Sequence, residues 1–87
     1  MHATLEEFEI WLRERGYDKM MGEENFRVFL NLGFASLLFQ GSNLLISFIL
    51  QKLGFPSERI SEKVRFVVGR RIKVVKATKN ELEIELD

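Results

Sequence analysis

The sequence predicts an α+β domain: three to four N-terminal helices followed by a C-terminal β-hairpin, completed by dimerisation. Apolar residues recur at helical spacing between cap-forming residues up to about residue 68, and β-branched residues concentrate only after Gly69. The third observation is an excess of apolar side chains between Phe26 and Leu53, broken only by Gln40-Gly41-Ser42-Asn43. With 87 residues, the chain forms one domain, 1–87, and a domain this small buries a modest share of its surface, so association is a natural source of stability.

The first helix is expected near 4–15. Thr4 and Glu7 have capping-box spacing, Glu6, Glu7 and Glu9 suit the positive end of the helix dipole, and Leu5, Phe8 and Leu12 share a face with Trp11 beside it. Arg13 and Arg15 precede Gly16, a C-terminal stop, and Gly16–Gly22 reads as a connection. The stretch 23–40 fits two patterns. Phe26, Val28, Leu30, Leu32 and Phe34 alternate as in a strand, whereas Phe26, Phe29, Leu30, Phe34, Leu37 and Leu38 share a helical face. Composition favours the helix, because Val28 is the only β-branched residue and Glu23 and Glu24 stand where a helix start wants acids. Gly41 breaks the run, Ser42 caps a helix over 43–53, and Gly54-Phe55-Pro56 ends it. Its polar residues, Asn43, Ser47 and Gln51, form one line, so the rest of that helix needs cover. A further helix is expected at 57–68, with Ile60, Val64 and Val67 inward.

Arg70–Ala77 and Glu81–Asp87 form the hairpin. A three-residue loop, Thr78-Lys79-Asn80, with Asn80 left-handed, pairs Ile72 with Leu86, Val74 with Ile84 and Lys76 with Leu82. The other face then sets Lys73 against Glu85 and Arg71 against Asp87, opposite-charge pairs of about 0.2–1 kcal/mol each.

The chemistry available excludes most catalytic classes. There is no cysteine, the single histidine is His2 beside the chain terminus, and the glycines are dispersed singly, so no triad, metal cluster or phosphate loop is expected. We therefore expect no enzyme and no cofactor. The N-terminus lacks a basic region followed by an apolar run, which points to a cytoplasmic protein, and high charge with few prolines and no cysteine is compatible with a thermophilic source. Mean hydropathy reaches about 1.7 over the window starting at Leu32, near the level of a spanning helix. However, Gln40-Gly41-Ser42-Asn43 would fall at mid-bilayer and no basic cluster flanks either end, so a buried helix pair is the stronger expectation.

Net charge is zero but segregated: an acidic 1–25, a strongly basic 57–79 and an acidic 80–87. Leu53-Gly54-Phe55-Pro56-Ser57-Glu58-Arg59-Ile60 resembles the turn of a helix-turn-helix, and the hairpin follows where a winged-helix protein has its wing. Over residues 43–87 the resemblance implies a helix in the DNA major groove, with Ser57, Arg59, Lys63, Arg65 and Arg70 as contacts. Lys63 stands where that family places an apolar core residue, and the wing cations face acids of their own hairpin. DNA binding is therefore the second expectation. The first is a self-associating interaction module, a homodimer, in which a second hairpin adds strands at the sheet edge. Phe39, Leu44, Leu45, Phe48, Ile49 and Leu50 are its candidate interface or core anchors.

Overall fold

The computed structural model describes residues 1–55 and 72–86. In chain order these are β1 (His2–Thr4), α1 (Leu5–Glu14), α2 (Tyr17–Met21), α3 (Glu23–Phe39), α4 (Asn43–Lys52), β2 (Ile72–Ala77) and β3 (Glu81–Leu86). The expected α+β order is observed, helices first and an antiparallel hairpin last. The helix expected at 57–68 lies outside the described residues.

The capping box of α1 forms as the sequence predicts: the Glu7 amide donates to Thr4 Oγ1 at 3.2 Å and the Thr4 amide to Glu7 Oε1 at 3.3 Å. Residues 16–22 hold a short helix, α2, between Gly16 and Gly22, rather than a plain connection. The 23–40 stretch is helical, with Phe26, Leu30, Phe34 and Leu37 buried. The Ser42 side chain caps α4, whose Leu45, Phe48, Ile49 and Leu50 are all buried.

The hairpin corrects three expectations. Ile72, Lys73 and Val74 pair with Leu86, Glu85 and Ile84 as anticipated, but Lys76 pairs with Glu83 and Ala77 with Leu82. The register shifts between Val74 and Lys76, so Val75 is the extra residue of a β-bulge. Asn80 is not left-handed, since no residue other than glycine has positive φ among those described. The Arg71–Asp87 pair lies outside the described residues. The third correction concerns the N-terminus, which is part of the sheet. His2, Ala3 and Thr4 pair antiparallel with Glu83, Leu82 and Glu81, giving strand order β1-β3-β2, and the terminal ammonium donates to the Ile84 carbonyl at 2.7 Å. The sheet's third strand thus comes from the same chain.

Phe8 is the hub of the core between sheet and helices. Its ring lies 5.0 Å from Phe48, 5.8 Å from Phe34 and 6.2 Å from Trp11, and it is completely buried. Ala3, Leu82 and Ile84 close this core from the sheet, and Leu12, Phe26, Leu30 and Leu45 fill it from the helices.

Candidate interaction surface

The position of α3 is set by the hairpin tip. Gly33, in the middle of α3, has φ 82° and ψ 168°, which no helix contains, and the helix kinks there. In an unbroken helix the amides of Phe34 and Ala35 would bond carbonyls four residues back. Here they donate instead to Lys79 O and Thr78 O, each at 3.1 Å. The third carbonyl of the tip, Asn80 O, accepts from the first α1 amide, Leu5 N, at 2.9 Å. One three-residue loop therefore satisfies orphan amides at the starts of two helical segments.

On both sides of the kink α3 buries part of its surface, Phe26 and Leu30 before it and Phe34 and Leu37 after it, and exposes the rest. From Val28 onward the exposed residues are mixed, with Val28, Leu32, Ala35 and Phe39 apolar and Asn31, Ser36 and Gln40 polar. Val28 is 63 % exposed, Leu32 42 % and Phe39 94 %, and the intervening Ala35 is also exposed. The break at Gly33 falls between Leu32 and Ala35, so Val28 and Leu32 share a face of the first segment and Ala35 and Phe39 a face of the second. No charged residue occurs from Val28 to Gln51. At the N-terminal end of this stretch, a groove of about 410 Å³ opens between α1 and α3. Leu5, Val28 and Leu30 are its apolar lining, and Glu9, Arg13, Arg27 and Asn31 its polar lining.

The charges beside the groove are already engaged. Arg13 bonds Glu9 at 2.9 Å, Asp18 at 3.3 Å and Glu23 at 2.7 Å, and Arg27 lies 3.3 Å from Glu23. Hydrogen bonding to Arg13 holds the Glu23 carboxyl below the usual carboxylate range, and Lys52 does the same for Glu7. On the sheet, Lys76 bonds Glu81 at 2.8 Å, lowering the Glu81 pKa and raising that of Lys76.

These shifts set a pH dependence. The three lowered carboxylates stabilise the fold above their unfolded pKa of 4.5, and that contribution is lost as pH falls through their folded values. Raised Lys76 contributes below its unfolded 10.5 and is lost as pH rises through its folded value. Thermal melts should therefore show a plateau of Tm between about pH 5 and pH 10, with a fall on either side. Glu23→Gln should flatten the acid limb; an unchanged limb would show that Arg13 and Glu23 are not coupled in solution.

Of the residues anticipated as anchors, Leu45, Phe48, Ile49 and Leu50 are buried within the chain and so act as core, Leu44 is half-buried, and Phe39 alone is fully presented. Ser57, Arg59, Lys63, Arg65 and Arg70 lie outside the described residues. Val28, Leu32 and Ala35 are exposed but stand outside that expected set. The signal for them is the apolar set left over once Phe26, Leu30, Phe34 and Leu37 are assigned inward. Among the described residues, no group of three His, Cys, Asp or Glu side chains is placed to hold a metal ion. No single helix there is long and apolar enough to cross a membrane; α3 and α4 reach that composition only together and are bent by 80°.

Fold and surface together define a small α+β protein whose N-terminus supplies the third strand of its sheet and whose kinked central helix exposes Val28, Leu32 and Phe39. The chain belongs to the same family as an uncharacterized protein of Archaeoglobus fulgidus, with which it shares 56 % identity over 88 residues, covering 99 % of each chain. No family model and no solved structure matches it.

Proposed function

We propose that this protein is a non-enzymatic assembly module of the cytoplasm that acts by associating with itself. The observation that carries this reading is the outward side of α3, where Val28, Leu32 and Phe39 are exposed at 63 %, 42 % and 94 % in a stretch free of charge. Large apolar side chains left in water favour association, and exposed apolar patches mark association sites. The sheet edge is the weaker candidate. The outer edge of β2 carries Lys73, Lys76 and the bulge at Val75, three features by which natural edge strands resist pairing. Pairing Lys73 against Lys76 of a second copy would add like-charge repulsion.

Light scattering after size exclusion, on the unmodified chain from low to high micromolar concentration, tests this. The expected result is a concentration-dependent dimer that resists added salt, because its contact is apolar. A monodisperse monomer throughout would overturn it.

A further inference from the structure

We draw no further inference here: the strongest candidate, the exposed apolar patch of Val28, Leu32 and Phe39 on α3, is divided between two helical segments by the break at Gly33, and nothing in the structure shows what covers it.

Discussion

Replacing Gly33, which is buried beneath the hairpin tip, with alanine is expected to destabilise the protein by about 3 kcal/mol or more. Two penalties combine. At φ 82° and ψ 168° the backbone is in a region essentially reserved for glycine, which costs about 1–3 kcal/mol for other residues. A Cβ there would also lie 2.6 Å from Lys79 Cγ, 2.8 Å from Lys79 Cα and 2.9 Å from Lys79 O. The Cγ can swing away, but the Cα and carbonyl cannot without pulling the hairpin tip off α3. That movement breaks the bonds from Phe34 N and Ala35 N to the tip carbonyls, leaving their amides to find new partners. Gly41→Ala is the control: φ is also positive, at 68°, but nothing lies within 4 Å of the added carbon. It should cost about 1–2 kcal/mol. Urea unfolding of both variants decides the matter, and equal losses would mean that the Gly33–Lys79 contact is not part of the native fold.

Truncating Phe8 to alanine is the second large expectation, at about 3–5 kcal/mol. Phe8 is fully buried and its ring adjoins Trp11, Phe29, Phe34 and Phe48, so α1, α3 and α4 all lose contact at once. The residual cavity cannot collapse easily, because its walls are divided among α1, α3 and α4. For a chain of 87 residues this is a large part of the whole stability, and the variant should populate the unfolded state near physiological temperature. Phe39→Ala, by contrast, removes a side chain that is 94 % exposed and should leave the midpoint of a dilute sample within about 0.5 kcal/mol of the parent. Calorimetry on the two variants at low concentration separates the core phenylalanine from the surface one.

The parts of the fold that were legible in the sequence are those set by local chemistry. The Thr4–Glu7 capping box, the Ser42 cap and the first three hairpin pairs depend on neighbours a few residues away, and each is observed. The parts that were not legible depend on distant partners. Three residues are too few for β1 to display a period, and its existence follows from the open edge of β3, eighty residues along the chain. The kink at Gly33 has no cause inside α3, since it exists because the tip of a remote hairpin docks there. The bulge at Val75 shifts one residue of register that alternation alone cannot reveal. The same limit applies to the interaction surface. Leu45, Phe48 and Ile49 were candidate interface or core anchors, a choice that composition leaves open, and burial assigns them to the core. The surplus apolar surface lies instead on α3, where Val28 and Leu32 fitted a strand-like alternation as readily as a second helical face.

Sedimentation velocity of the full chain beside its Phe39→Asp variant asks whether the exposed apolar residues of α3 are the face of self-association. Aspartate at this exposed position disturbs no core contact but would place an unpaired charge inside an apolar interface. The parent is expected to be a dimer at high micromolar concentration and the variant a folded monomer, with circular dichroism unchanged between them. A parent that sediments as a monomer at every concentration, or a variant that dimerises as well as the parent, would contradict association through α3.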